Sequence, residues 1–68
     1  MTYNVPMKLR LKLWREKRLL TQRELAVKAG VSHITIAKIE TGRSAAIRTA
    51  RKIAAALDVD PDDLIIHD

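Results

Sequence analysis

Residues 21–42, TQRELAVKAGVSHITIAKIETG, constrain the fold more than any other part of the sequence. Thr21 is a good helix-capping residue, and Glu24 three residues later completes the pattern of a capping box. Gly30 ends this first helical pattern because glycine accepts a left-handed backbone. Ser32 then caps a second pattern, which Gly42 ends in the same way. The stretch therefore predicts two short helices joined by a tight turn, at about residues 22–29 and 33–40.

Other segments of the chain also favour helix. Alanine, leucine, lysine and arginine dominate the sequence, and alternating β-branched runs bounded by turns are missing from it. A first helix is predicted from about Met7 to Arg18, because Met7, Leu11 and Trp14 would share one helical face. Residues 46–57 have the pattern of a fourth helix, and Asp60-Pro61 is typical of the start of a short fifth one.

These segments predict an all-α fold, a compact five-helix bundle formed by residues 7–66. Residues 1–6 are predicted to be an N-terminal arm, because Pro6 discourages a helix that starts earlier. Sixty-eight residues are enough for one small domain with one core. So short a chain has little stability to spare, and this makes an oligomer plausible.

Charge is distributed unevenly along the sequence. Residues 1–28 hold eight Lys or Arg and two Glu, residues 29–56 hold five and one, and residues 57–68 hold five Asp and no base. A basic body with a short acidic end indicates a polyanionic partner, most often nucleic acid. The alternative is a solvated charged surface that keeps a small protein soluble.

Several classes of protein are disfavoured by the sequence. There is no cysteine, no apolar run approaches the ~20 residues of a membrane span, and the amino end lacks the apolar segment of a signal peptide. A cytoplasmic location is therefore expected, without a membrane partner. No nucleophile–base pair, carboxylate pair or phosphate-binding loop is present, so we expect neither an enzyme nor a cofactor nor a metal.

The third predicted helix has an unusual outer face. At ~100° per residue, Ile36 and Ile39 point towards the core, whereas four other residues lie on the opposite side, namely His33, Ile34, Ala37 and Lys38. A solvated helix would normally carry more Glu and Lys there. This face is small enough to enter a major groove and has groups for contacting base edges. His33 as a catalytic base or metal ligand is the weaker alternative, because no second histidine or cysteine accompanies it.

The stretch from Leu11 to Leu64 resembles the Cro/C1-type helix-turn-helix family of phage and bacterial repressors, also called the XRE family. The residues that show the resemblance are Leu11, Trp14-Arg15, Leu20-Thr21-Gln22, Glu24-Leu25-Ala26, Gly30-Val31-Ser32, Ile36, Ile39-Glu40, Gly42, Ile53-Ala54, Leu57 and Leu64. The resemblance implies a lambda-repressor-like bundle, sequence-specific binding of double-stranded DNA, and a homodimer on a palindromic operator.

The resemblance also implies a role for individual positions. The base-reading positions are those of His33, Ile34, Ala37 and Lys38. Contacts with the DNA backbone, or caps of the recognition helix, are implied for Gln22, Ser32, Thr35, Thr41, Arg43 and Ser44. Arg48 matches a position from which some phage repressors reach towards the minor groove. Arg15 and Glu40 match a structural salt bridge between the first and third helices.

The sequence departs from the family pattern at three places. Leu19 stands where the family often has the glycine that ends the first helix. Ala45-Ala46 replaces a common Pro-Ser, so Ser44 is expected to cap the fourth helix instead. The outer face of the third helix lacks the glutamines that many phage repressors use for adenine, and this makes the operator sequence an open question.

Leu9 and Leu13 fall on the helical face opposite Leu11, and one core cannot bury both faces. They are covered either by the arm or by Ile65 and Ile66, or else the four residues form a contact with a second subunit or another protein. The first functional hypothesis is a transcriptional regulator, a repressor, that acts as a homodimer. The alternative is the antitoxin of a toxin–antitoxin pair, in which partner binding is the main role and DNA binding serves autoregulation.

Overall fold

A computed structural model describes residues 7–67 of the chain, so the predicted arm at residues 1–6 lies outside the described residues. Within residues 7–67 the chain forms five helices, which are α1 Leu11–Lys17, α2 Gln22–Ala29, α3 His33–Glu40, α4 Ile47–Leu57 and α5 Pro61–Leu64. Two isolated antiparallel bridges, but no β-strand, accompany them in this range. The prediction of an all-α fold with five helices is thus confirmed.

Four of the helices end in the same hydrogen-bonded turn, a Schellman motif. After α1, the N–H of Leu19 donates to Glu16 O at 3.0 Å and that of Leu20 donates to Arg15 O at 3.1 Å. The equivalent turns after α2, α3 and α4 have Gly30, Gly42 and Asp58 at the left-handed position. Leu19 has a φ of 57° and therefore makes the turn at which the family often has glycine.

Side chains cap the beginnings of three helices. Thr21 and Glu24 form the predicted capping box at α2. The Ser32 side chain accepts from the N–H of Ile34 at α3, and the Asp60 side chain accepts from the N–H of Asp62 at α5. The expectation that Ser44 caps α4 is wrong. The helix begins only at Ile47, so Ala46 occupies the N-cap position, and its methyl side chain cannot accept a capping hydrogen bond. Ser44 is separated from this position by Ala45, which is held in a bridge with Met7.

The predicted start of the first helix at Met7 is also wrong, because residues 7–10 are not helical and α1 begins at Leu11. The N–H and C=O of Met7 both bond to Ala45 at 2.7 Å. Further along, Arg10 N donates to Leu64 O, and Ile66 N donates to Lys8 O, each at 2.8 Å. These partners are more than 35 residues away in sequence, so a local helical pattern gives no sign of them.

One cluster of buried aliphatic side chains joins all five helices with the segment before α1. The large members that are almost fully buried are Leu11, Leu25, Ile36, Ile53, Leu57 and Leu64. Leu9 is also buried, and its backbone pairs with Ile65, so it is not available at the surface for a partner. Leu13, by contrast, is exposed. The ends of α1 and α4 are tied together by Arg18, whose Nε donates to Leu57 O at 2.7 Å.

Candidate nucleic-acid interface

Helix α3 presents one side to the core and the other to solvent. Ile36 and Ile39 are buried, whereas Ile34 is 55% exposed and Lys38 is exposed. His33, Thr35 and Ala37 are half-buried at the borders of the outer face. The Ser32 hydroxyl caps the start of the helix by accepting from Ile34 N at 3.1 Å. The core and the cap therefore fix the orientation of the outer face.

A charged network holds the other end of α3. Arg15 Nε lies 2.6 Å from Glu40 Oε2, and Arg15 Nη2 lies 3.1 Å from Glu40 Oε1. A third guanidinium donor, Nη1, bonds to Leu20 O at 2.7 Å. The Arg15 side chain is 13% exposed and the Glu40 side chain 5% exposed. This bidentate pair joins α1 to the last residue of α3 and is the salt bridge that the family resemblance implied.

Both members of the pair have shifted pKa values. The hydrogen bond with Glu40 raises the pKa of the Arg15 guanidinium above its usual value, against the opposing effect of burial. For Glu40, burial favours the neutral acid, but the hydrogen bonds from Arg15 and Gln22 and the positive charge of Arg15 together outweigh burial and lower the pKa of the carboxyl. Glu40 is therefore ionised in the folded protein at neutral pH.

Gln22, the expected phosphate contact at the start of α2, belongs to this network. Its Nε2 donates to Glu40 Oε1 at 3.1 Å, and the residue is half-buried. A primary amide carries two hydrogens, so one N–H remains for another acceptor. The network thus orients the Gln22 amide as well as the end of α3, a link that residue spacing alone did not suggest.

The loop after α3 brings several of the predicted backbone contacts together. Thr35, Lys38, Arg43 and Ser44 line a surface cavity of about 190 Å³, which Ile39, Ala45, Ala46 and Thr49 complete. Thr41 is turned back towards its own helix, because its hydroxyl donates to Lys38 O at 2.8 Å. Arg48 is exposed on the first turn of α4 but does not line this cavity.

Sequence reasoning missed Lys8 at this surface. Its Nζ donates to the carbonyl oxygen of Gly42, the residue just before Arg43. This contact adds a third basic side chain to the part of the surface that holds Lys38 and Arg43. The predicted first helix had included Lys8, and only the pairing of residues 7–10 with the loop and the carboxyl end reveals where it lies.

Residues 7–67 contain no group of three or more His, Cys, Asp or Glu side chains arranged to hold a metal ion. None of the helices in the same range has the length and apolar character needed to cross a membrane.

The two capped helices α2 and α3, the tight turn at Gly30 and the exposed face of α3 define a helix-turn-helix DNA-binding domain of the kind found in transcription regulators. A family model described as helix-turn-helix matches residues 11–64. The chain therefore belongs to this family, the Cro/C1-type or XRE helix-turn-helix proteins. Comparison with curated proteins and with solved structures found no significant match.

Proposed function

We propose that this protein is a transcriptional repressor that acts in the cytoplasm as a homodimer on a palindromic operator. The main support is helix α3, whose outer face is exposed while its two ends are held by the Ser32 cap and the Arg15–Glu40 pair. A rigid helix with an exposed face of this size can enter a major groove in one orientation. In the dimer, two such helices lie about 34 Å apart, one helical turn of DNA.

The contacts fall into two groups. His33, Ile34, Ala37 and Lys38 face the base edges. Phosphate and sugar contacts come from Gln22, Ser32, Thr35, Arg43 and Ser44, with Arg48 at the border of the minor groove. Thr41 joins them once its hydroxyl turns from Lys38 O to a phosphate oxygen. The remaining amide N–H of Gln22 and the cavity beside Arg43 support this division, because phosphate oxygens accept hydrogen bonds and attract cations. The basic residues supply affinity for any DNA, and α3 supplies the choice of sequence.

The proposed dimer uses apolar side chains at the side of the molecule where α1 meets α5. Leu13 on α1 and Ile66 just after α5 are exposed, and Ile65 is half-buried beside the core. The Trp14 indole Nε1 donates to Asp63 O at 3.2 Å and keeps α1 against α5. Replacing Leu13 and Ile66 together with lysine should therefore convert a dimer into a monomer while the fold is retained, as measured by light scattering and circular dichroism.

Selection of binding sites from a random double-stranded DNA pool at about 150 mM salt tests the proposal, because this salt suppresses phosphate-only binding. A palindromic consensus with half-sites one turn apart is the expected result. An enriched site fused upstream of a reporter gene should then reduce transcription when the protein is present. Failure to enrich any sequence would contradict the proposed function.

A second candidate function is an antitoxin that binds a protein partner and regulates its own gene. Its support is apolar exposure outside both proposed interfaces, since Leu19 is 90% exposed and Val27 is exposed on the outer side of α2. Val27 lines a shallow surface depression with Leu20, Arg23, Glu24 and Lys28. Co-expression with the product of the neighbouring gene tests this candidate. An antitoxin should form a stable complex with that product, and the double variant Leu19→Lys, Val27→Lys should lose the complex.

A further inference from the structure

Ile34 is the most exposed apolar side chain on the outer face of α3. It is the second residue of the helix and 55% exposed, although isoleucine is among the residues most often buried in proteins. The Ser32 hydroxyl accepts from its backbone N–H at 3.1 Å, so the first turn of the helix holds this side chain at a fixed place. Ala37 and Lys38 follow at i+3 and i+4 and are its neighbours on the same face.

The chemistry of the major groove limits what this side chain can recognise. Three of the four bases present only hydrogen-bonding atoms at the groove edge, whereas thymine adds an apolar C5-methyl group. The outer face of α3 has no glutamine or asparagine for bidentate contact with adenine and no arginine for guanine. An isoleucine at the start of the helix gains free energy in the groove only by burying its surface against another apolar group.

We propose that Ile34 recognises the C5-methyl group of a thymine in each operator half-site. The inference rests on the proposed function, because it requires α3 to lie in the major groove. The N-terminal residues of a recognition helix are the ones that approach base edges most closely, and Ile34 lies in the first turn. Ala37 leaves room beside it for a base to approach.

The test compares thymine with deoxyuridine, which lacks only the methyl group. Each thymine of the selected operator is replaced in turn, and affinity is measured by fluorescence anisotropy. Burial of one methyl group is equivalent to about fourfold in affinity. At one position of the half-site we therefore expect about a fourfold loss when one half-site is changed and about a fifteenfold loss when both are changed.

Two protein variants separate direct contact from effects of deoxyuridine on DNA shape. Ile34→Ala should bind the thymine and deoxyuridine operators equally, because the methyl group then has no partner. Val27→Ala is the matched control, since it shortens an exposed branched side chain on α2 and should leave the thymine preference unchanged. Both substitutions are at exposed positions, and unchanged thermal unfolding should show that both variants fold like the wild type.

Three results would overturn the inference. If the protein prefers its selected operator to scrambled DNA but no thymine is sensitive to loss of its methyl group, the inference fails and the proposed function stands. A sensitivity that persists in Ile34→Ala would likewise assign the methyl effect to something other than Ile34. If no operator is preferred at all, the proposed function fails and this inference fails with it.

Discussion

Replacing Arg15 with alanine should destabilise the protein strongly, because it leaves the Glu40 carboxylate 5% exposed without its guanidinium partner. The substitution removes both bonds to Glu40 and the bond to Leu20 O, while the bond from Gln22 to Glu40 remains. Breaking a fully buried pair from one side costs about 3–5 kcal/mol. Since Arg15 retains some contact with water, we expect a loss of about 2–4 kcal/mol.

This loss is large for a chain of 68 residues. At about 0.05–0.15 kcal/mol per residue, the free energy of unfolding is on the order of 3–10 kcal/mol. In a domain of this size each kcal/mol shifts Tm by about 4–8 °C, so Arg15→Ala should lower Tm by about 10–30 °C. Thermal and urea unfolding followed by circular dichroism measure both quantities.

The matched control is Arg51→Ala, which removes an exposed arginine from α4 and should change the free energy of unfolding by no more than about 0.5 kcal/mol. Glu40→Ala and the double variant with Arg15→Ala complete a thermodynamic cycle, for which we expect a coupling free energy of about 1–3 kcal/mol. The reasoning would be refuted if Arg15→Ala were as stable as Arg51→Ala, or if the two single losses simply added in the double variant.

Three further predictions concern DNA affinity, the turns and acid stability. If Lys38 contacts phosphate, Lys38→Ala should reduce by about one unit the slope of the logarithm of DNA affinity against the logarithm of salt concentration. If Lys38 contacts a base, the same substitution should relax the operator preference. The control Lys28→Ala on α2 should change neither the slope nor the preference. Leu19→Gly should raise the free energy of unfolding by about 0.5–1 kcal/mol, because glycine adopts the φ of 57° at position 19 without strain. Gly30→Ala should lower the free energy of unfolding by about 1 kcal/mol, because Gly30 also has a positive φ. Equal urea midpoints for the two variants would contradict this reasoning. Because the pKa of Glu40 is lowered, its ionised form stabilises the fold above the ordinary glutamic acid pKa of about 4.3, and this contribution is lost as pH falls through the lowered value. The free energy of unfolding of the wild type should therefore exceed that of Glu40→Gln by less in acid than at neutral pH. A constant difference in urea unfolding between pH 7 and 3 would argue against this reasoning.

Local chemistry explains why the helix-turn-helix could be predicted from the sequence. The capping box at Thr21, the Ser32 cap and the glycines at positions 30 and 42 each act within a few residues of chain, and the structure contains all of them. The aliphatic spacing of α3 likewise determines which side of the helix faces the core. These local features determine where α3 begins and ends and which residues lie on its outer face.

The start of α1 could not be predicted in this way. Met7, Leu11 and Trp14 have helical spacing, yet the backbone of Met7 bonds to Ala45 and that of Lys8 to Ile66. Long-range partners replaced the local hydrogen bonds that a helix would have made. The same pairing buries Leu9 beside Ile65, one of the two alternatives that the helical projection left open, and brings Lys8 to the loop that contains Arg43.

The sequence by itself therefore determined the helical class of the fold, the positions of its turns and the residues on the outer face of α3, because caps, glycines and periodicity act over distances of one or two helical turns. Only the tertiary structure decided where α1 begins, that Leu13 rather than Leu9 is exposed, and that Gln22 is bonded to Glu40. These features depend on hydrogen bonds and packing between segments 18 to 58 residues apart, and the cost of bringing such segments together is met by the whole core rather than by any local pattern.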